Sequence, residues 1–427
     1  MKDGNSDRRA FLRTAGAVGA FTILKPHIVR GSAANSAVRV GLLGCGHRGS
    51  VHAGTIAQHT DARIVALADL FQDQLDRARQ RVDAVAQSKG YAGVAQVFVG
   101  PQSSRQLFES KEVDAVVIAT PAYFHPEHLA GAVSGGKHIY LEKPVAVDVA
   151  GAKRVQEIGR QVGGKLNLEV GFQIRSAPPF IELVRRIQGG ALGEIAAAEV
   201  HYNAALPDYP EYPNAGAQEA RLRNWLRDRV LSGDIIVEQN IHVLDICNWI
   251  LAAPPVKATG RGGRKGRGEA GGDCYSHFDA IFEYPNDVHV SFSSVQFGKG
   301  KFEVNERFFG TRGQSMSPYS GPLGIDGDEP WIWPGSDKQQ GGAFSAGGSF
   351  SDNLADADPE KQKGFIAAIA SGKYHNQAAQ GVETALTAML GRQAAYTGRE
   401  VTWSELLRSD EHWDSGIDVN RLGGSRG

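Results

Sequence analysis

Cysteine is scarce: 3 residues in 427, Cys45, Cys247 and Cys274. An odd number with neither a CxxC pair nor the paired spacing of a zinc site excludes a disulfide scaffold and a cysteine-held metal, and the three read as inert thiols. An excess of one charge is missing as well. Lys and Arg number 46 against 47 acidic residues, a formal net charge of -1, so no broad positive field exists to hold nucleic acid or anionic lipid. No apolar run reaches the ~20 residues a membrane-spanning helix needs. What is present is 41% hydrophobic and 22% charged residues with 53 glycines and 18 prolines, the make-up of a soluble globular chain with many turns. At ~150 residues per domain the length implies two or three domains, and two is the simpler expectation.

The chain opens with Ser6-Asp7-Arg8-Arg9-Ala10-Phe11-Leu12-Arg13, an uncharged and mildly apolar run over 14–24, and small residues over 31–34. That layout suits a cleaved secretory leader, cut after Ala33 or Ala34, better than a floppy basic tail. Paired arginines before Phe-Leu and a weak apolar run resemble a twin-arginine export signal. No cysteine follows the run, so a lipid anchor has no attachment point. The resemblance implies that residues 1–37 direct a folded, cofactor-loaded protein to a periplasmic or extracytoplasmic location.

The apolar run at 38–43 is rich in strand formers and stops at Gly44-Cys45-Gly46-His47-Arg48-Gly49. In such a GxGxxG turn the first glycine permits the bend, the second lets a pyrophosphate approach the backbone, and the third lets the next helix pack on the strand. The helix N-terminus then faces the anion. A second strand at 64–68 ends at Asp69, 20 residues after Gly49, where a ribose-binding acid belongs; capping the next helix is the competing role. A carboxylate there accepts bonds from ribose hydroxyls and repels a 2′-phosphate. Leu70 and Phe71 bring no arginine to reverse that, so NAD is expected and NADP is disfavoured.

Alternation continues with a helical pattern over 74–87, a buried strand over 113–119, a helix over 126–134 and a strand over 138–141, which makes a doubly wound parallel sheet. Its strand ends carry Thr120-Pro121 with His125, and Glu142-Lys143-Pro144. Together with the glycine turn and Gly136-Lys137-His138, these residues resemble the Gfo/Idh/MocA oxidoreductase family over essentially the whole chain after the leader. The order and spacing of the motifs are more specific than any one of them. The resemblance implies a Rossmann domain followed by an open, mostly antiparallel sheet of α+β class, one face of which packs on another subunit in a homo-oligomer. It also implies a small carbohydrate or cyclitol substrate, no metal, and a nucleotide held by residues 44–49, Asp69, Thr120, Pro121, His125, Glu142, Lys143 and Trp225.

Lys143 sits at a strand end with its backbone restricted by Pro144, where ligands of open α/β sheets bind. From these residues alone a surface ion pair with Glu142 and a place beside the nicotinamide are equally good readings. The resemblance implies the second, with Lys143 catalytic.

The second half begins with Gly171-Phe172-Gln173-Ile174-Arg175, a helix over 180–188, and strand-like runs near 193–201, 256–259, 277–284, 288–297 and 302–309. If residues from about 237 are helical, Glu238, His242 and Asp245 stand at i, i+4 and i+7 on one face. A satisfied helix histidine is the plainer reading. The resemblance puts His242 beside the reacting carbon, with Glu238 where an aspartate is usual and Asp245 lining the site. Trp225 matches a residue near the nicotinamide, although Leu226 stands where an arginine would follow. Gln173 and Arg175 match positions near the substrate cleft, Arg175 being equally good as a structural ion-pair residue.

The basic run over 257–267 lacks interleaved aromatics and reads as a solvated strand and loop. The stretch 311–358 reads as a long loop with Tyr319, Trp331 and Trp333, 365–396 as two helices, and the end after Trp413 as frayed. The expected layout is a leader over 1–37, an NAD-binding domain over 38–160, a substrate and oligomerisation domain over 161–412 and a tail over 413–427. The expected function is exported, NAD-dependent oxidation of a secondary alcohol of a sugar, glycoside or cyclitol, with the nucleotide tightly bound. The alternative is NAD-dependent glycoside hydrolysis or elimination through transient oxidation. A non-catalytic sensor is disfavoured by the presence of both Lys143 and His242.

Overall fold

A computed structural model describes residues 37–205, 212–266, 272–296, 302–339 and 352–422. The paired arginines and the rest of the expected leader through 36 lie outside the described residues. Val38–Gly427 is one compact unit.

Its first sheet has six parallel strands, β1 (Arg39–Leu43), β2 (Arg63–Asp69), β3 (Gln96–Val99), β4 (Ala115–Ile118), β5 (His138–Leu141) and β6 (Leu168–Val170), in the order β3-β2-β1-β4-β5-β6. The helices between them, α1 (His47–His59), α2 (Gln72–Ser88), α3 (Ser103–Glu109), α4 (His125–Ser134) and α5 (Val149–Val162), leave the central strands little contact with water. That is why β4 reads as the unbroken apolar run Ala-Val-Val-Ile, buried at every position, rather than as an alternation. Asp148 caps α5 by accepting from the Gly151 N–H at 2.7 Å, a bond worth about 1 kcal/mol. The parallel sheet runs past residue 160 to Val170, because Leu168–Val170 pairs with β5.

The second sheet has nine strands, β7 (Ile195–Asn203), β8 (Lys257–Gly263), β9 (His277–Tyr284), β10 (Val288–Val295), β11 (Glu303–Gly310), β12 (Gly313–Met316), β13 (Gly324–Gly327), β14 (Trp331–Ile332) and β15 (Val401–Thr402). The β10–β7 pair is parallel and the other ladders are antiparallel. On β9, Phe278, Ala280, Phe282 and Tyr284 are buried while Asp279 and Ile281 between them are exposed, the alternation of a sheet covered on one face. The cover includes α9 (Ile241–Leu251) and α11 (Ala378–Thr397), with α6 (Pro178–Gln188) packed on α9, and between α6 and α9 the chain makes the short helices α7 (Ala217–Arg223) and α8 (Ile235–Glu238). Helix α10 (Ala357–Ser371) packs instead on α1 of the first domain.

Three expectations change. The helix expected from 237 onward is broken at Gln239 and Asn240, between α8 and α9. The stretch expected as loop contributes β12, β13 and β14; the first two are rich in Gly, Ser, Gln and Asp, weak strand formers, and β12 pairs on the edge that β11 offers, β13 on β12 and β14 on β13. Its aromatics pack on the protein itself: Trp331 stacks with Arg186 of α6 at 4.7 Å, and Tyr319 is buried against Phe180. The end of the chain through Leu422 is docked rather than frayed, as detailed below.

Candidate active site

Strand order reverses between β1 and β4, and a cleft of about 670 Å³ opens there at the carboxyl ends of the strands, walled on its far side by the second domain. Gly44, Gly46, His47 and Arg48 line it. Gly44 has φ +89, and a Cβ on it would stand 2.6 Å from the Ala119 backbone; one on Gly49 would stand 1.9 Å from the Gly44 carbonyl oxygen. Beside Gly46 nothing lies within 4 Å of where a Cβ would be, which leaves the backbone open to an approaching anion. Cys45 and Gly49 are not on the wall: Cys45 is buried, and Gly49 serves helix–strand packing.

Asp69 lines the same cleft and binds the turn to the end of β2. Its Oδ2 accepts from the Cys45 N–H at 2.7 Å and its Oδ1 from the Phe71 N–H at 2.9 Å. Burial pushes its carboxyl up to about 6, against the pull of those two N–H groups. Each oxygen keeps a lone pair for a hydroxyl donor. Arg48 is committed elsewhere, with Nε on Glu142 Oε1 at 2.8 Å and both terminal nitrogens on Asp358 of α10 at 2.7 and 2.8 Å.

The turns after β4 and β5 are tied together by His125, whose Nδ1 meets the Pro144 carbonyl at 2.7 Å and Nε2 the Thr120 carbonyl at 2.8 Å. His125 is thus a brace behind the wall, while Thr120, Pro121, Glu142 and Trp225 line the cleft. Burial alone would raise the Glu142 carboxyl, but Arg48, His52 and Lys143 hold it well below the usual range. His52 reaches Glu142 Oε1 at 2.5 Å through Nε2 and receives Gln362 on Nδ1 at 2.7 Å, so the ring is a donor to the carboxylate. Glu142 Oε2 accepts the Lys143 N–H at 2.7 Å, which fixes the backbone that carries the lysine.

Lys143 and His242, from different domains, both line this cleft. The Lys143 ammonium donates to the Glu238 carbonyl at 2.5 Å and to Glu238 Oε1 at 2.9 Å, so the surface pair with Glu142 does not form and one N–H of the ammonium stays available. Glu238 therefore orients Lys143. His242 is 5% exposed; burial, then the Lys143 ammonium, keep it well below the usual histidine range, so the ring is neutral near pH 7. Its Nδ1 has no hydrogen-bond partner, and the edge of its ring meets Phe172 at 6.4 Å.

Gln173 lines the cleft with an unpartnered, buried Oε1. Asp245 and Arg175 do not line it. They are brought to each other, Arg175 Nε to Oδ2 at 2.8 Å and Nη2 to Oδ1 at 2.9 Å, with Thr384 donating to Oδ1 at 2.8 Å. Glu238 and Asp245 lie on separate helices, with the turn at Gln239 and Asn240 between them.

Several wall residues had no signal in the sequence. Tyr202 at the end of β7, Gln239 and Gln296 complete the chamber around Lys143 and His242. Burial and the nearby Glu238 carboxylate push the Tyr202 hydroxyl up, so it stays protonated. His128, held at about 3 by burial and bonded to Thr120 Oγ1 at 2.9 Å, and Arg223, stacked 3.8 Å over the Phe71 ring, line the other reaches of the cleft. Arg223 could have been suspected from its place beside Trp225; the others come together only through distant strands and turns.

A parallel doubly wound sheet with an open glycine turn, a carboxylate at the β2 end and an amine and imidazole facing across one cleft defines a two-domain, dinucleotide-dependent oxidoreductase. Residues 38–170 match the oxidoreductase family with an NAD-binding Rossmann fold, and residues 180–315 match the GFO/IDH/MocA C-terminal domain. The inositol 2-dehydrogenase of Rhizobium meliloti is 27% identical over 68% of this chain and 78% of its own length. The scyllo-inositol 2-dehydrogenase (NAD(+)) of Bacillus subtilis is 26% identical over 53% of this chain and 57% of its own. Among solved structures, scyllo-inositol dehydrogenase from Lactobacillus casei with bound NAD(H) and scyllo-inositol shares the fold, with a TM-score of 0.67 over 86% of this chain and 99% of that one at 19% identity. The chain belongs to the Gfo/Idh/MocA family and is an NAD-dependent oxidoreductase of CH–OH donors.

Proposed function

We propose that this protein oxidises a secondary alcohol of a cyclitol or sugar, works outside the cytoplasm, and keeps its NAD between turnovers. The observation that carries the reaction is that Lys143 and His242, from the two domains, line one cleft, the first braced by Glu238 and the second neutral with an unpartnered nitrogen. The open face of Gly46, the Asp69 carboxylate and the span of the cleft fit a dinucleotide, which when bound supplies the acceptor for the carbinol hydride. His242 takes the hydroxyl proton, which its neutral state permits at pH 7. The uncommitted N–H of Lys143 stabilises the negative charge that develops on oxygen. Gln173 Oε1 and Gln239 Oε1, both buried and unpartnered on the wall, accept from further hydroxyls, which supports a polyhydroxylated ring over a simple alcohol. The inositol dehydrogenases among the relatives support the same substrate class.

Export rests on the Arg8-Arg9 leader, and retention of NAD on the lack of a replenished nucleotide pool outside the cytoplasm. The exposed face of the mixed sheet, where Ile281 is 47% exposed, is the surface for homo-oligomerisation. Purified protein challenged with a panel of inositols and sugars should form reduced nicotinamide, seen by its absorbance, with at least one cyclitol or sugar; silence across the panel overturns the reaction. Arg8→Lys with Arg9→Lys should strand the full-length chain in the cytoplasmic fraction, and unchanged export of that double variant overturns the location.

A further inference from the structure

The end of the chain crosses the cleft at the end opposite to Lys143. It is anchored first where α11 meets the Rossmann domain: Arg392 of α11, wholly buried, bonds Glu411 at 2.6 Å and stacks 4.0 Å from the Trp413 ring, and the Trp413 N–H donates to Asp148 Oδ2 of the Rossmann domain at 2.8 Å. The Ser415 N–H then meets the Tyr123 hydroxyl at 3.3 Å, beside the turn after β4. From there the segment passes to α7: Arg221 donates to the Ser415 carbonyl at 2.9 Å, and the Gln218 amide brackets the next turn, donating to the Gly416 carbonyl at 3.1 Å and accepting from the Asp418 N–H at 3.3 Å. Ile417 and Leu422 pack on a small cluster of Phe71, Leu222 and Leu231, and Val419 lines the cleft. Phe71 follows Asp69 by two residues, so this is the ribose and adenine end.

We propose that residues 413–422 are a strap belonging to the nucleotide site. The strap ties α7 to the Rossmann domain, holds Leu222 and Arg223 against the adenosine end of the cleft, and must release before the nucleotide can leave. Its contacts are backbone hydrogen bonds and a few half-buried side chains, which places it among the parts of a fold that open without global unfolding. It touches neither Lys143 nor His242, so it governs residence of the nucleotide rather than the chemical step. The inference rests on the reading that NAD stays bound, and gives that retention a physical cause.

The test is the dissociation rate of NADH from the full-length protein, followed by loss of its fluorescence on chasing with excess NAD. Gln218→Ala removes two of the three α7 bonds to the strap, leaving the one from Arg221, and should speed release about three- to tenfold with the melting temperature unchanged, and a chain ending after Trp413 should speed it by tenfold or more. Release within twofold of wild type in the folded Gln218→Ala protein, or in a folded truncated chain, overturns the strap while leaving NAD binding and the oxidoreductase reading intact. A wild-type chain that binds no NADH overturns both.

Discussion

The two ends of the cleft are built from different material. At the adenosine end the polar groups that face the nucleotide are main-chain groups and one carboxylate of the first βαβ unit, orientated by Asp69 bonding to the Cys45 and Phe71 N–H groups, with α7 and the strap packed around them. At the nicotinamide end they are buried side chains gathered from β5, β7, α8 and α9 across the domain boundary. Binding determinants are thus local and cheap to position, whereas the proton-transfer pair exists only once two domains have docked.

The comparison breaks most sharply at Lys143. Lys143→Met should lower turnover by about 10³-fold or more with NAD still bound, since the amine acts only when charge develops on oxygen; near-normal kcat would remove the nicotinamide end from the argument. His242→Ala comes next, with a loss of about 10²- to 10³-fold, while NADH binding measured by fluorescence stays intact. Because His242 stays neutral well below the usual histidine range, the wild-type rate should show no acid limb near pH 6.5 from this group.

Asp69 sharpens the other side. Asp69→Asn should raise the Kd for NAD about tenfold or more, while kcat at saturating nucleotide changes little. The free carboxyl titrates at about 6 and ribose hydroxyls favour its ionised form, so wild-type affinity should weaken as pH falls below about 6. In Asp69→Asn that dependence, measured by titration calorimetry, should flatten. Glu238→Gln leaves the carbonyl bond to Lys143 and removes the carboxylate one, for a fall in kcat of about tenfold with NAD affinity unchanged.

The smallest effect lies away from the cleft. Glu306 is wholly buried on β11, accepts from Ser317 Oγ at 2.7 Å, and is pushed by burial up to about 8. The folded state holds this proton more tightly than the unfolded one, so the stability it contributes is complete below 4.5 and is lost as pH rises through about 8. Glu306→Gln should flatten the decline in melting temperature between about pH 5 and 8 without altering the rate at pH 7.

The parallel sheet, the glycine turn and Asp69 were legible from residue order alone, because each depends on neighbours within one βαβ unit and on strands whose two covered faces make them uniformly apolar. Lys143 and His242 were reached through motif resemblance, and their residues alone left blander readings open. What only the tertiary structure decided is how the polar groups pair. Glu238 went to Lys143, Asp245 went to Arg175, and the segment from Trp413 docked on Asp148 and α7. Helical periodicity predicted a shared face for Glu238, His242 and Asp245, but the helix is interrupted at Gln239 and Asn240, and Asp245 is paired with Arg175 away from the cleft. A buried carboxylate takes the cation that the fold brings within reach, and that distance belongs to the packed domains rather than to spacing along the chain.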